Sequence, residues 1–554
     1  MRRRHKDIDP DEIFLDSSNL PDFDTHQFEG RIDSPISKAT GYAVLVFFMC
    51  VISFFTIRTG ILQVKEGEVY SELSEKNYLR HTPLFAARGI IYDRNKVELA
   101  WNAPSSDPEV LFRKYKEIPG IAHVVGYIQY PTKDSSGFYY REDFVGMDGV
   151  EKTLNDDLQG KNGLRIIEVN ALSKISRENI VRPPENGDAV TLSIDSRVQS
   201  KMYQVIKGIA ERVGFGGGAG VIMDVRTGEI IALTSYPEYD PNIMSEAKDR
   251  TKINEYLNSK NTPFLDRASD GLYTPGSIIK PFMALAALTE KVIDPAKKIL
   301  STGSISIQNE YDPKLQTIFK DWKAHGYVDM RKAIAVSSDV YFYAIGGGYK
   351  DQKGLGIRKI DEYVAKFGFG EKVSSNFFTQ SPAGVIPTPE WKIKTFDGDT
   401  WRLGNTYHTS IGQYGFQVTP LQAVRAVASV ANEGKIMIPT LFKTDTAQIE
   451  KTIDLPTEYY KIVQEGMFLA TKEGTGQSLN VPYVKIASKS GTAELGASKE
   501  KVNSWMTGYF PYENPKYAFA IVMERGEVHN LIGAGVAFRE LLDWMSINTP
   551  EYFK

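Results

Sequence analysis

Ser277 and Lys280 stand three residues apart in Tyr273-Thr-Pro-Gly-Ser-Ile-Ile-Lys-Pro-Phe282, a spacing that suits nucleophilic chemistry. Pro275-Gly276 reads as a turn, and the Ala-rich, helically spaced apolar run from Ser277 to Lys291 predicts a helix that Ser277 opens. Lys280 then falls on the same face as Ser277, and Pro281 is tolerable because it sits in the first turn. A serine hydroxyl is inert until a base removes its proton, and a neutral lysine amine can do that. An ordinary lysine titrates near pH 10.4, so neutralising it at pH 7 costs roughly 4–5 kcal/mol. The helix N-terminus, desolvation by Ile278, Ile279 and Phe282, and a second lysine nearby would offset that cost. The helix start also offers N–H groups to a developing oxyanion.

Ser-x-x-Lys alone carries little, because one or two matches arise by chance in about 550 residues of average composition. Two further elements change its weight. Ser337-Ser338-Asp339 follows an apparently helical Asp329-to-Val336; Ser337 is placed to relay a proton, and Asp339 to hold a lysine and a substrate amide. Taken by itself, this stretch reads equally well as a polar helix-to-helix loop. Lys489-Ser490-Gly491-Thr492 ends the apolar run Val484-to-Ala487, on a predicted strand. There Gly491 lets a substrate backbone approach, and Lys489 with the two hydroxyls can bind a carboxylate.

Other constellations are weaker. His325, His408 and His529 invite a Ser-His scheme, but none stands near a recognisable nucleophile elbow. Asp321, His325 and Asp329, spaced i, i+4 and i+8, would line one helix face as metal ligands, although no metal is the preferred reading. Gly214-Phe-Gly-Gly-Gly-Ala-Gly220 resembles a phosphate loop only superficially; it lacks the following Lys-Ser/Thr and enters a strand, so it reads as a flexible connection.

The elements that must position these residues belong to an α+β domain, predicted over 187–554. Gly220 to Ser235 reads as a β-hairpin turning at Arg226-Thr227-Gly228, and Ser504–Phe510 and Tyr517–Gly526 as two strands around Pro511 to Pro515. His529 to Met545 has helical periodicity. Strands at both ends with helices between them suggest one sheet assembled from distant segments. Upstream, 59–186 alternates short apolar runs with turn signals, which suggests a mostly β pedestal, and Arg182-Pro-Pro-Glu-Asn-Gly187 marks the boundary. The uncharged run Ala39 to Ile57, flanked by Lys38 and Arg58, spans roughly 28 Å as a helix, enough for a bilayer core. It reads as a single uncleaved anchor at 39–58, preceded by a polar, disordered tail at 1–38. Lys and Arg counts on its two sides nearly balance and leave orientation open.

Composition is that of a globular protein, 42% apolar and 24% charged over 554 residues, and long enough for two or three folded units. A net charge of −3 gives no reason to expect nucleic acid, and the only cysteine, Cys50, excludes an intrachain disulfide and a cysteine-based metal site.

In their order, the three elements resemble the Ser-x-x-Lys, Ser-x-Asn and Lys-Thr-Gly signature of penicillin-binding proteins and serine β-lactamases, with Asp339 for Asn and Ser490 for Thr. Phe264-to-Pro281, Asp321-to-Tyr343, Gly384-to-Lys392, Val418-to-Gln422 and Ile486-to-Glu494 are similar to the penicillin-binding protein 2 group, the class B, monofunctional transpeptidases of side-wall elongation. The likeness reaches back through Arg88-to-Asn95 and Gly149-to-Gly163 to the anchor, and Asp in the middle motif is familiar there. Two places depart, Ser374-to-Gly384 and Ile411-Gly-Gln-Tyr-Gly-Phe416, a variant of Gly-Gln-Gly; both are expected at the site rim.

The resemblance implies a penicillin-binding/β-lactamase-like fold and a peptidoglycan D,D-transpeptidase that is a target of β-lactams. Ser277 attacks the penultimate D-alanine of a stem peptide with Lys280 as base. The N–H groups of Ser277 and Thr492 hold the oxyanion, Ser337 and Lys489 return a proton to the leaving D-alanine, and Lys489, Ser490 and Thr492 hold its carboxylate. No cofactor is implied. Relatives with a metal near His325 use a cysteine where this chain has Ser338. Expected partners are donor and acceptor stem peptides, the elongation-specific glycan polymerase and rod-complex scaffold proteins, the last two through pedestal and anchor. The catalytic domain is expected outside the cytoplasmic membrane. A carboxypeptidase or β-lactamase would not need the anchor and pedestal, and a non-catalytic scaffold or sensor would not need Ser277, Lys280 and Lys489.

Overall fold

A computed structural model of the chain describes residues 37–68, 70, 79–104, 110–135, 139–169, 175–309, 312, 314–444, 446–496 and 498–554. The disordered-tail reading of 1–38 therefore lies, but for its last two residues, outside the described residues. Two compact units emerge, one of residues 1–81 with 166–179 and one of 82–165 with 180–554.

In the first unit, helix α1 (Lys38–Gly60) begins where the Ser37 hydroxyl accepts the Thr40 N–H at 3.0 Å. Its 23 residues extend about 35 Å, no residue in it is buried, and it is the one helix among the described residues long and apolar enough to cross a membrane.

The second unit starts with a small four-stranded sheet. Strands β1 (Ile91–Tyr92), β2 (Glu98–Ala103), β3 (Phe112–Tyr115) and β4 (Val190–Thr191) lie in the order β4-β1-β2-β3, so the chain still pairs with this module beyond the Arg182-to-Gly187 turn. Beneath it Glu151 is fully buried between Arg88 (Nε to Oε2, 2.5 Å) and Arg113 (Nε to Oε1, 2.7 Å). Two guanidiniums and their hydrogen bonds are what make a buried carboxylate tolerable.

The larger part of this unit is a helix-covered antiparallel sheet. Helix α2 (Ser196–Val213) leads into β5 (Gly217–Asp224) and β6 (Ile230–Tyr236), and strands β9 (Ala487–Leu495), β10 (Lys501–Phe510) and β11 (Tyr517–Glu527) complete the order β6-β5-β11-β10-β9. The glycine run is not a flexible link. From Gly217 it is already buried strand, and a Cβ at Gly218 or Gly220 would lie 2.8 Å from Ile206 or 2.7 Å from Met202 of α2.

The C-terminal helix, Ala534–Asn548, starts later than periodicity predicted, because Asn530 to Gly533 form the loop that reaches it. Between β6 and β9 come α3 (Lys280–Thr289), the hairpin β7–β8 (Ser304–Gln308, Gln316–Lys320), α4 (Met330–Val336), α5 (Asp339–Gly347), α6 (Leu403–Ser410), α7 (Pro420–Ala431) and α8 (Thr457–Glu473). α3 and α7 are almost wholly buried.

Candidate active site

Ser277 lies in a 3-10 turn, Gly276–Ile279, that runs directly into α3, and Pro281 occupies the first turn of that helix as predicted. The turn is pinned on two sides. The Gly276 N–H donates to Gly412 O at 2.9 Å, and the Trp505 indole on β10 donates to Thr274 O at 3.0 Å. Ser337 caps α4 in a left-handed conformation (φ +58°), and Ser338 caps α5, which brings Ser337 and Asp339 back toward α3.

The convergence is direct. Lys280 Nζ donates to Ser337 O (2.8 Å), Ser337 Oγ (3.2 Å) and Asp339 Oδ1 (2.6 Å), and lies 5.4 Å from the Phe342 ring centre. Lys489 Nζ donates to the same Ser337 Oγ at 2.8 Å and to Ser490 O at 2.9 Å. Both lysines are fully buried. Ser277, Ser337, Asp339, Ser490, Gly491 and Thr492 line a cleft of about 1430 Å³, with Lys280 and Lys489 behind its wall.

Burial first, and then the neighbouring Lys280 charge, pushes Lys489 well below the ordinary lysine value. Burial likewise pushes Asp339 up, against the pull of Lys280, with Asp321 adding to the rise. Lys280 is the centre of a hydrogen-bond cluster with Ser337 and Asp339, and Lys489 is a lysine that its surroundings drive toward neutrality.

Several expectations need correction. Lys489 to Thr492 lies on a strand as expected, in the body of β9, with Lys489 opposite Thr507 and Thr492 opposite Ser504. Along β9 Lys489 and Gly491 are buried while Ser490 is half-buried and Thr492 exposed, and Lys489 reaches the cleft through Ser337 Oγ. Gly491 lines the cleft, yet its lack of a side chain answers to the serine turn: a Cβ there would lie 2.8 Å from both Pro275 O and Ile278 Cγ2.

Asp321, His325 and Asp329 share no helix, because 326–328 is a strand and Asp329 caps α4 by accepting the Lys332 N–H at 2.9 Å. His325 Nε2 is 3.5 Å from Asp321 Oδ1. Asp321 Oδ2 is occupied by Ser338 Oγ (2.9 Å), Val340 N (3.0 Å) and Ser301 Oγ (3.3 Å). With hydroxyls and an amide on the carboxylate and Ser338 in place of a thiol, these residues do not fit a metal. His408 lines the cleft, its pKa lowered by burial and by Lys499. Residues 376–380 line a separate cavity of about 350 Å³ with Asp148, Lys152 and Asp270, so the 374–384 departure is not at the cleft rim. Ile411, Gln413, Tyr414 and Gly415 are.

Sequence reasoning missed Asp321 as the anchor of the Ser337 turn, Thr475, whose hydroxyl accepts Ser490 Oγ–H at 2.6 Å, and Trp505. Their partners are remote in sequence, and no local pattern marks them.

Comparison with known proteins agrees with this geometry. The model of the penicillin binding protein transpeptidase domain matches residues 218–543, and that of the penicillin-binding protein dimerisation domain matches 107–192. The chain is 30% identical to peptidoglycan D,D-transpeptidase MrdA of Haemophilus influenzae, over 76% of this chain and 68% of that one. With the Acinetobacter baumannii protein of the same name it shares 28%, over 88% and 84%. Among solved structures it is similar to Pseudomonas aeruginosa PBP2 in complex with WCK 5153 (29% identity, TM-score 0.69, 84% of this chain and 97% of that one). A second is the Helicobacter pylori PBP2 complex with MreC (26%, TM-score 0.67, 84% and 98%). With a domain match over more than half its length and a relative at 30% identity, the chain belongs to the penicillin-binding protein 2 family of transpeptidases.

Proposed function

We propose that this chain is a peptidoglycan D,D-transpeptidase that cross-links stem peptides through an acyl-enzyme on Ser277. The observation that carries this reading is the meeting of Lys280 and Lys489 on one hydroxyl, Ser337 Oγ, at the wall of the cleft that Ser277 lines.

β9 is an edge strand, so an extended stem peptide can add to it as a further strand. That would set the penultimate D-alanine carbonyl before Ser277, with the N–H groups of Ser277 and Thr492 around the oxyanion. The Lys280–Asp339 pair supplies the base. Asp339, raised by burial, takes a proton from the Lys280 ammonium, and the resulting amine takes the Ser277 proton as the hydroxyl oxygen bonds to the carbonyl carbon. Collapse breaks the C–N bond, and Ser337 passes its proton to the leaving amine and is reprotonated by Lys280. The Ser490 and Thr492 hydroxyls take the terminal carboxylate. The amine of a second stem peptide then attacks the ester by the same steps reversed. β-Lactams acylate Ser277 and stay, lacking a leaving group that departs.

On this reading 39–58 is the anchor, 59–186 the pedestal and 187–554 the catalytic domain, held on the outer side of the cytoplasmic membrane where the wall is built. The Helicobacter pylori complex with MreC supports a scaffold partner for the pedestal; a glycan polymerase is the other partner we assign. The test is labelling of purified full-length protein by a fluorescent penicillin. Label on wild type that maps to Ser277 and vanishes in Ser277→Ala is the expected result; an unlabelled, folded wild type would overturn the assignment.

A further inference from the structure

Tyr414 occupies a position few aromatic residues tolerate. Its φ is +62°, in the left-handed region where a Cβ is strained, and such strain persists where surrounding structure enforces it, often at ligand sites. Its ring lines the catalytic cleft. Around it stand Trp401 (5.7 Å, edge-on), Trp391 (5.9 Å, edge-on) and Phe396 (6.4 Å, within 23° of parallel). This cluster is not sealed into the core: Phe396 is 49% exposed, beside Ile393 at 51%. Lys394, Asp397 and Thr400 are exposed along the same segment. An aromatic strip with a polar border therefore continues from the cleft onto the surface.

We propose that Tyr414 and Phe396 form a shelf for the amino-sugar to which a stem peptide is joined, so that the enzyme reads glycan as well as peptide. The inference rests on the transpeptidase reading of the cleft. A pyranose ring presents a face of C–H groups that pack on the electron-rich face of an aromatic ring, while its hydroxyl and acetamido groups find the polar border. Continuity with the cleft favours this occupant over a protein partner. A substrate peptide seated at Ser277 brings its sugar tethered alongside, whereas a protein on this strip would block the mouth through which substrate enters.

The experiment uses full-length protein carrying Ser277→Ala, which prevents turnover, and compares Kd for a disaccharide-pentapeptide with Kd for the free pentapeptide. The sugar is expected to tighten binding about 10-fold. Phe396→Ala, at a half-exposed site, and Tyr414→Gly, which suits the φ +62° backbone, are each expected to reduce that advantage to less than about 2-fold. Equal affinities for the two ligands in the parent would overturn the proposal, as would an undiminished advantage in both variants. Binding of neither ligand by the parent would remove the transpeptidase reading, and the shelf with it.

Discussion

The side-chain nitrogen of Lys489 lies 2.8 Å from the hydroxyl oxygen of Ser337, across 152 positions of sequence. That contact joins the central sheet to the helical layer. Because burial and Lys280 depress Lys489, the unfolded chain binds a proton that the folded one resists. The contribution of Lys489 to stability therefore increases as pH rises from its depressed value toward 10.5.

Lys489→Met tests this arrangement. Removing a lysine that the fold strains to keep neutral should raise the thermal midpoint at pH 7, measured by calorimetry. The same variant should lose about 100-fold in penicillin acylation rate, the scale expected when Ser337, which passes the proton, loses the lysine that holds its hydroxyl. A fall in both would mean that the buried ammonium is a structural pillar.

Asp321→Asn should separate positioning from stability. The asparagine keeps one acceptor but turns an amide toward Ser338, Val340 or Ser301, so the turn that presents Ser337 loosens. Acylation is expected to drop roughly 10-fold or more under conditions where the variant is still folded. Addition of chelator to the wild type should leave its acylation rate where it was.

Glu151, buried between Arg88 and Arg113, is a point of fragility in the module before the catalytic domain. Burial pushes its carboxyl up, but Arg113 and Arg88 more than offset this and hold it below the ordinary value. Its contribution is therefore present above about pH 4.5 and lost as pH falls through its depressed value. Glu151→Ala strands two buried guanidiniums and should cost about 3–5 kcal/mol, read from urea denaturation.

Glu238 accepts the N–H groups of Gly120 (2.6 Å) and Ala122 (3.0 Å). Burial raises it from 4.5 to about 7, so the fold favours the protonated acid. This contribution is complete below pH 4.5 and fades as pH rises through 7. The wild-type melting temperature should carry that downward component between pH 5 and pH 8, and Glu238→Gln should lack it. The readout is the slope with pH, because glutamine presents one acceptor where the carboxylate presents two.

Much of the site was legible beforehand because its chemistry is written in short spacings. Ser277 and Lys280 belong to one continuous turn and helix, and Ser337 with Asp339 to one tight helix junction, so local rules placed them. What spacing could not convey was facing. Whether Lys489 looks into the cleft depends on the register of β9 against β10, and the need for glycine at 491 comes from a turn more than 200 residues away. Asp321, His325 and Asp329 fit a helical period that the chain does not adopt, since Asp321 is consumed by the Ser338 junction. The partner of Lys280, Asp339 at 2.6 Å, lies 59 positions away and meets it only in the folded chain.

The central sheet has a consequence for how the protein comes into being. Its hairpin of β5 and β6 is made early, but β5 finds its other neighbour only in β11, where Gly217 pairs with Glu524, roughly 300 residues later, a separation typical of slow, late-closing topologies. During synthesis the segment bearing Ser277 emerges well before the strand bearing Lys489. A chain interrupted ahead of Tyr517 therefore has Ser277 but no finished sheet to hold Lys489 and the Ser337 turn against it. On the proposed function, reactivity arrives with the last strands, so an unfinished copy would neither waste a stem peptide nor be poisoned by a drug.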